Sequence, residues 1–430
     1  MNTKGGGLSS PRLKNSSGLE NPPYVEGDSG GSLDMRDSNL LIESLPDRWK
    51  NHKFGDLCDR VKNSYQPVDG GEKPYIGLEH LAQGFPAFIG RGKECEVKSS
   101  KTVFKSGDIL FGKLRPYLRK GAQADFDGIC STDILVFRAK PICESNFLRF
   151  VIHSEEFVAH AKTTTSGVRH PRTSWPLLRE FYISLPPLPE QKKIAHILST
   201  VQRAIEAQDR IIQTTTELKK ALMHKLFTEG LRNEPQKEAE IGLVPESWEV
   251  VEIGDVFKFT SGKTKPKDTA PEPSVERTVP VYGGNGVLGY SAQSLLNEDV
   301  LILGRVGEYC GCAHLTKPVS WVTDNALYAK EEKRSVNRSY ARTHFAHLNL
   351  NQYSNKMGQP LITQGIINRV KFGLPSREEQ DELANAFETL DTRIEQINAK
   401  KKSLQDLFHT LLHELMTAKI NVGHISEKIA

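Results

Sequence analysis

The stretch QDELANAFETLDTRIEQINAKKKSLQDLFHTLLHELM, residues 380–416, repeats apolar side chains at alternating steps of four and three residues. A single lysine, Lys401, interrupts this stripe. Apolar positions that recur every 3.5 residues over several heptads predict a helix that packs along another helix for its whole length. At 1.5 Å per residue the stripe would span roughly 48 Å. Its positions are Leu383, Phe387, Leu390, Ile394, Ile397, Lys401, Leu404, Phe408, Leu411 and Leu415.

A second stretch with the same pattern appears when Gln191 is aligned with Gln380. Each stretch follows a proline-containing segment, LPPLPEQ at residues 185–191 and LPSREEQ at residues 374–380. Because both proline-containing segments stop a strand-containing domain and the pattern outlasts an average globular helix, we predict that the two helices pack on each other. The alternative is that each helix lies on its own globular domain. The second stripe comprises Ile194, Leu198, Val201, Ile205, Gln208, Ile212, Thr215, Lys219, Leu222 and Leu226, with polar breaks at Gln208, Thr215 and Lys219.

Other segments show that the chain repeats itself. Repetition across two halves reveals the architecture before any single element is assigned. The repeated segments read as short strands and turns, so we predict an α+β protein of two similar heads with an internal pseudo-twofold repeat, each head followed by a long helix. The matched segments are LPDRW at 45–49 with VPESW at 244–248, GDILF at 107–111 with EDVLI at 298–302, and STD at 131–133 with VTD at 322–324.

The composition limits the class of protein. With 430 residues, 37% of them hydrophobic and 26% charged, the chain has the composition of a soluble protein of two or three domains. No apolar run approaches the roughly 20 residues of a membrane span. The polar start shows no secretory signal, so we expect a cytoplasmic protein with reduced cysteines. The predicted domains are a disordered extension at 1–39, head one at 40–187, a central helix and spacer at 188–240, head two at 241–374, and a distal helix with a tail at 375–430.

Motifs for catalysis, metals and nucleotides are weak. The six cysteines lack paired Cys-x-x-Cys spacing, so we expect no metal site. The glycine-rich residues 282–290 lack the Gly-Lys-Ser/Thr ending of a Walker loop. NPPY at 21–24 is the tetrapeptide with which amino-methyltransferases grip an adenine amine, but here it lies in a polar tail with no room for a cofactor domain ahead of it. We therefore predict a binding protein with no catalytic residue and no directly bound cofactor.

Local clusters of basic and amide side chains indicate nucleic-acid binding better than the net charge of +4 does. Head one carries a basic stretch at residues 113–120 and a polar, basic loop at residues 166–175. Such side chains can contact phosphates and base edges. The candidate DNA-binding residues are Lys113, Arg115, Arg119, Lys120, Thr132, Arg169 and Arg172 in head one, and Lys263, Lys265, Arg305, Asn325, Gln359 and Gln364 in head two.

Three motifs together carry a resemblance to a known family. They are PLPEQ at 187–191 with its helix, KLRPYLRK at 113–120, and GRVG at 304–307 with TDNA at 323–326. With the repeated architecture, they resemble the DNA-specificity subunits of type I restriction-modification systems, which serve in phage defence. The resemblance covers nearly everything after about residue 39.

The resemblance implies that each head is a target-recognition domain for one half of a split DNA site, and that the helices form an antiparallel coiled coil that fixes the gap. It also implies the partners: double-stranded DNA, two methyltransferase subunits and motor-nuclease subunits. S-adenosylmethionine, ATP and Mg would be bound by those subunits, and base flipping would expose the adenine for N6 methylation. The target sequence and the length of the gap cannot be read from the residues.

Two other functions are compatible with parts of the sequence. A stand-alone adenine methyltransferase would use the motif that begins at Asn21, and a coiled-coil scaffold protein would bind DNA no better than other weakly basic chains. Two features depart from the family pattern: the extension at 1–39 and the polar breaks in the stripes. An antiparallel arrangement must also give the ammonium of Lys401 a route to water.

Overall fold

The computed structural model describes residues 46–355 and 358–423. The predicted extension at 1–39 and the NPPY motif lie outside the described residues. The described chain forms two heads of short strands and short helices, together with two long helices. The α+β class and the two similar domains expected from the internal repeat are confirmed.

The described part of head one contains three sheets and four short α-helices. The sheets have the strand orders β1-β11, β2-β10-β7-β8 and β3-β6-β9-β4-β5. The strands are β1 (Lys50–Lys53), β2 (Cys58–Val61), β3 (Ser64–Tyr65), β4 (Pro74–Ile76), β5 (Gly92–Lys93), β6 (Lys101–Phe104), β7 (Ile109–Gly112), β8 (Gly121–Gln123), β9 (Gly128–Cys130), β10 (Ile134–Ala139) and β11 (Tyr182–Leu185). The helices are α1 (Phe54–Leu57), α2 (Ser145–Val151), α3 (Glu155–Thr163) and α4 (Trp175–Leu178).

The long helix α5 (Leu188–Glu229) joins head one to head two, and the long helix α9 (Arg377–Met416) follows head two. Between them lie the hairpin β12 (Gln236–Ala239) and β13 (Gly242–Pro245), and then head two. Head two comprises β14 (Glu249–Glu252), α6 (Ile253–Val256), β15 (Phe257–Ser261), β16 (Val279–Gly283), β17 (Gly286–Ser291), β18 (Leu301–Gly304), β19 (Ala313–Leu315), β20 (Trp321–Val322), β21 (Ala326–Glu332), α7 (Arg338–Leu348), α8 (Gln364–Asn368) and β22 (Lys371–Leu374).

The two heads share one topology. The strand order β15-β21-β18-β19 of head two repeats the order β2-β10-β7-β8 of head one. The two-stranded sheet β14-β22 likewise repeats β1-β11, and a parallel pair, β4 with β9 or β16 with β20, occurs in each head. The heads are therefore two copies of the same scaffold, and their loops can be compared position by position.

A shift of one residue affects two of the repeated segments. The turn STD at 131–133 corresponds to TDN at 323–325, and not to VTD at 322–324, because Ser131 and Thr323 accept equivalent backbone hydrogen bonds from Ile134 and Ala326.

The structure corrects the alignment of the strand segment in the same way. The sequence pattern pairs Ile109 with Val300, whereas the sheet register pairs Gly112 of β7 with Gly304 of β18 and hence Ile109 with Leu301. All four residues of each strand are buried. A strand buried on both faces lacks the alternation of polar and apolar residues that would reveal its register. The sequence pattern therefore aligned the two strands one residue out of register.

Capping residues set the ends of the long helices. A proline occupies the first turn of α5, and the hydroxyl of Ser376 accepts the N–H of Glu379 at the start of α9. Gly230, with φ 70°, follows the end of α5 in a conformation that favours glycine. Every position of the two predicted stripes is buried or half-buried, and in the middle of α5, between 209 and 221, all other residues are exposed. The sequence repeat thus marks the face that each helix turns inward.

Two ion pairs join α5 and α9. Lys219 pairs with Asp391, and Lys401 pairs with Asp209. Because Asp209 precedes Lys219 in α5 whereas Lys401 follows Asp391 in α9, the helices run antiparallel. Each lysine stands in an apolar stripe, and its ammonium leaves the stripe to reach a carboxylate. This contact supplies the outlet that the sequence requires for Lys401.

The core of each head includes both long helices. In head one, Leu198 from the start of α5 and Phe408 from the end of α9 join the buried side chains of the sheets and of α2. In head two, Phe227 from the end of α5 and Phe387 from the start of α9 do the same. Each helix therefore contacts the other helix and both heads, and the hydrophobic effect holds the four parts together.

A buried glutamine fastens each head to the helix that follows it. The Oε1 atom of Gln191 accepts the N–H of Glu144 at 2.8 Å, and its Nε2 atom donates to the carbonyls of Ile142 and Pro186 at 3.0 and 2.9 Å. Gln380 makes the same two kinds of contact in head two. The Glu-Gln pair that marks both helix entries in the sequence is thus a structural junction.

Two buried histidines make the stability of the fold depend on pH. Burial lowers the pKa of His344 to about 3 and that of His153 to about 4. Their unfolded value is about 6.5, so the unfolded chain binds protons that the folded chain excludes. We expect the free energy of unfolding to fall by about 1.4 kcal/mol per pH unit for each histidine as pH drops below 6.5. Urea unfolding at pH 7.5 and 5.0 measures this dependence. If the free energy of unfolding of His344→Phe fell between these two pH values as much as that of the wild type, the assignment would be contradicted.

None of the helices in the described residues combines the length and the apolar character needed to cross a bilayer.

Candidate nucleic-acid interface

Three loops of head one meet where the two central strands of its four-stranded sheet end, after β7 and before β10. They are residues 113–120 after β7, the turn at 131–133 before β10, and residues 166–173 before α4. The N–H of Lys113 donates to the carbonyl of Asp133 at 2.9 Å, and the N–H of Thr173 donates to the carbonyl of Lys113 at 3.1 Å. The N–H of Arg115 donates to the carbonyl of Pro171 at 2.8 Å. We call these three loops the head-one loop face.

Some of the predicted DNA-binding side chains of this face are free for a ligand. Arg115, Arg169 and Thr132 are exposed, and their side chains form no hydrogen bond or ion pair within the described part of the chain. Lys113 is half-buried beside them. Side chains of these types carry donors that can contact phosphates and base edges.

Other predicted cations hold the loops themselves. Arg172 donates two hydrogen bonds to Asp133, at 2.9 and 3.1 Å, and these hold the pKa of the Asp133 carboxyl below its usual range. Arg119 binds Glu155 at 2.8 Å. Lys120 donates to the carbonyl of Leu78 at 2.7 Å, and burial lowers the pKa of its ammonium. Contacts of this kind join residues distant in sequence, so the sequence alone could not separate these cations from the free ones.

Head two assembles the same three loops with the same backbone hydrogen bonds. The N–H of Arg305 donates to the carbonyl of Asn325 at 2.9 Å, and the N–H of Ile362 donates to the carbonyl of Arg305 at 2.9 Å. The N–H of Gly307 donates to the carbonyl of Pro360 at 2.9 Å. The described residues of the loops 305–311, 323–325 and 355–362 form the head-two loop face.

Most of the predicted residues of head two lie at or beside this face. Asn325 and Gln359 are exposed on it, and Gln364 is exposed at the start of α8 next to it. Lys263 is tied to the turn at 323–325 by the hydrogen bond from the Asp324 N–H to its carbonyl, at 3.0 Å, and Lys265 is exposed nearby in sequence. The Arg305 side chain is half-buried, and its guanidinium donates to the Ser261 hydroxyl at 3.3 Å. At least one of its donors is therefore engaged within the head.

An exposed aromatic residue common to both faces was not among the predicted site residues. Residues 112–117, GKLRPY, and residues 304–309, GRVGEY, occupy equivalent positions, so Tyr117 corresponds to Tyr309. Their exposed fractions are 48% and 42%. Aligning Gly112 with Gly304 would have revealed the pair. Exposed aromatic rings beside free cations suit contacts with nucleic-acid bases.

The described residues show no grouping of three or more His, Cys, Asp or Glu side chains that could hold a metal ion. Burial raises the pKa of the Cys130 thiol to about 12, and burial also raises the pKa of Cys310. These thiols are protonated at neutral pH and are poor nucleophiles.

Comparison with known proteins relates this geometry to one family. A family model described as the type I restriction modification DNA specificity domain matches residues 46–216 and, a second time, residues 245–406. Each match begins in one head and ends within the long helix that follows it. The repeat found in the sequence is therefore a repeat of this domain.

Individual proteins show the same similarity. The specificity subunit of the type I restriction enzyme MjaVIII from Methanocaldococcus jannaschii is 25% identical over 419 residues, which cover 89% of this chain and 95% of that one. The EcoDI specificity subunit from Escherichia coli is 28% identical over 180 residues, or 40% of this chain and 39% of the relative. The crystal structure of the S subunit from M. genitalium matches with a TM-score of 0.58 at 17% identity, over 85% of this chain and 96% of that one. This structural likeness concerns the fold.

Proposed function

The chain belongs to the type I restriction modification DNA specificity family, and from that premise we propose that it reads a split DNA site and directs partner subunits to it. Its proposed task is recognition. Adenine N6 methylation and ATP-dependent cleavage would be carried out by methyltransferase and motor-nuclease subunits. S-adenosylmethionine, ATP and Mg would be bound by those subunits, and the whole complex would act in the cytoplasm.

The observation that carries the proposal is the presence of two loop faces on one repeated scaffold. Each face places exposed hydrogen-bonding side chains, such as Arg115 in head one and Asn325 in head two, on loops held by matching backbone hydrogen bonds. Loops with fixed backbones present their side chains in a defined geometry, which base-edge recognition requires. Because the side chains differ between the heads, the two halves of the DNA site would differ in sequence.

The long helices support a fixed gap between the two half-sites. We propose that α5 and α9 form an antiparallel coiled coil, with the stripe residues as its seam and the pairs of Lys219 and Lys401 at its edge. The stripe spans roughly 48 Å, whereas one turn of B-DNA takes about 34 to 36 Å. A strut of this length would set the two heads more than one helical turn apart along the duplex.

The outer side of the helix pair offers a surface for protein partners. Ile211 and Leu218 lie one heptad apart on α5, with exposed fractions of 45% and 51%, and Leu407 of α9 is 45% exposed. Large apolar side chains that recur on one helix face suit the apolar face of a partner helix. We propose that methyltransferase subunits dock here.

A change on that surface tests the docking. We expect Leu218→Asp to weaken binding of the methyltransferase subunit about tenfold or more, because a carboxylate would be buried without a partner. The stability of the chain should stay within about 0.5 kcal/mol of its original value, since the side chain is exposed. Titration of labelled chain with methyltransferase measures the affinity. Thr216→Asp, at an exposed position of α5 on the side of the helix away from Ile211 and Leu218, is the matched control, and an equal loss in both variants would contradict the assignment.

The proposed function is tested by mapping methylated adenines in cells that express the chain together with the methyltransferase subunit of its system. We expect a split motif with a constant gap that disappears when the chain is omitted. Methylation by the purified chain alone, abolished by Asn21→Ala, would instead indicate an adenine methyltransferase. Methylation that does not depend on the chain, with binding of all oligonucleotides alike, would indicate a scaffold protein.

A further inference from the structure

Arg115 and Gly307 occupy the same position in the two heads. Each follows its sheet strand by three residues, and each donates its backbone N–H to the carbonyl of a proline in the neighbouring loop, Pro171 or Pro360. Each also has a positive φ, 50° for Arg115 and 84° for Gly307. The scaffold therefore requires a left-handed backbone at this position in both loop faces.

Glycine meets this requirement without strain, and arginine does not. A left-handed backbone brings the Cβ atom of an L-residue too close to the next carbonyl oxygen. Arg115 also precedes Pro116, and a residue before proline is restricted to extended conformations. Strain of this kind persists where the rest of the structure enforces it, and it concentrates at functional sites. Head two shows that the fold accepts glycine here, so the fold does not explain the arginine of head one.

Lack of space does not explain the difference either. A Cβ atom added to Gly307 would meet its nearest neighbour, the Nε2 atom of Gln359, at 3.8 Å, which is an ordinary contact. A side chain therefore fits on this position in either head. The arginine is a feature of head one alone.

The Arg115 side chain has no role within the described structure. It is exposed, and its guanidinium forms no hydrogen bond or ion pair with any described residue. A second strained arginine, Arg119 with φ 48°, offers a comparison, because its counterpart in head two is Gly311 with φ 85°. The Arg119 guanidinium, however, binds Glu155 inside head one. Of the two strained arginines, Arg115 alone points its charge away from the protein's own groups.

We propose that Arg115 reads a guanine in the half-site bound by head one, and that the equivalent position of head two makes no base contact. The guanidinium carries paired N–H donors that match the O6 and N7 acceptors of guanine in the major groove. Contact of this kind distinguishes guanine from the other bases, whereas a phosphate contact would strengthen binding to every sequence alike. The inference rests on the proposed function and specifies the chemistry of one of its two loop faces.

The test compares Arg115→Gly with Arg119→Gly in the complex of the full chain with its methyltransferase subunit. Both substitutions relieve a left-handed arginine, and each introduces the residue that head two carries. Binding is measured by competition on the wild-type site and on a set of duplexes in which each base pair is changed in turn. The wild-type complex is tested first. If it recognises no split site, the proposed function fails; if it recognises one, the variants test the role of Arg115 separately.

For Arg115→Gly we expect the discrimination at one guanine of one half-site to fall roughly 10- to 100-fold, with the other positions unchanged. The variant should unfold at the same or a higher temperature than the wild type, since strain is relieved. Arg119→Gly should retain every base preference. Arg115→Lys, which keeps the charge and loses the planar paired donors, should retain only part of the same guanine preference.

Three results would overturn the proposal. The first is that no guanine of the recognised site responds to Arg115→Gly. The variant could bind all duplexes more weakly by one common factor, which would make Arg115 a phosphate contact. Arg119→Gly could relax the same base pair to the same extent, which would show that loop conformation, and not the guanidinium of Arg115, sets the preference.

Discussion

Phe408→Ala is expected to lower the free energy of unfolding by about 3–5 kcal/mol. Phe408 is fully buried near the end of α9, where its ring lies 5.1 Å from that of Phe85 and 6.1 Å from that of Phe150, both in head one. The smaller side chain would leave a cavity where the helix pair meets the head, and the surrounding groups can fill it only in part. Urea unfolding of the full chain, followed by circular dichroism, measures the loss.

Leu407→Ala provides the control from the neighbouring position. Leu407 is 45% exposed, so its loss should change the free energy of unfolding by no more than about 0.5 kcal/mol. The two losses of stability are expected to differ because the adjacent side chains project from different faces of α9, one into head one and the other toward solvent. Similar losses in both variants would show that α9 does not bury Phe408 in head one.

The second large effect concerns the junction between head one and α5. Gln191→Leu is expected to lower the free energy of unfolding by at least about 3 kcal/mol, because it leaves three backbone groups without their partner and each such loss costs about 1–3 kcal/mol. Those groups are the N–H of Glu144 and the carbonyls of Ile142 and Pro186. Leucine keeps the size of the side chain, so the variant isolates the hydrogen bonds from the packing.

Gln213→Leu is the matched substitution on the same helix. Gln213 is exposed, and it donates to Glu217 one turn further along α5. Its replacement should change stability by about 0.5 kcal/mol or less. Amide hydrogen exchange locates the effect: in Gln191→Leu, faster exchange should appear at the start of α2, where the Glu144 N–H has lost its acceptor. Unchanged protection there would contradict the role of Gln191 as the fastener of the head.

The sequence revealed most about the helices, for a physical reason. A helix that packs along its length repeats its requirement at every turn, so the stripes from Ile194 and from Leu383 could be read without any knowledge of the fold. The polar breaks were also visible, but their partners were not. That Lys219 would reach Asp391 depends on the direction and alignment of the two helices, which only the structure supplies.

The heads were predictable as repeated strand-containing units, and their loops only in part. The loops at 113–120 and 166–173 were found through their charge. The sequence did not show that Arg172 of the second loop binds Asp133, far away in the chain, and so is not free to contact DNA. The one-residue slip between β7 and β18 hid the correspondence of Arg115 with Gly307 and of Tyr117 with Tyr309. Local patterns identified the loops, and the three-dimensional register showed which side chains are equivalent.

The central claim is that the helix pair holds the two loop faces at one distance along the duplex. It is tested most directly with a series of duplexes that carry both half-sites and differ only in the number of base pairs between them, bound by the complex of the chain with its methyltransferase subunit. We predict tight binding at a single gap length and a steep loss when the gap is one base pair shorter or longer. Equal affinity across a range of gap lengths would contradict the claim.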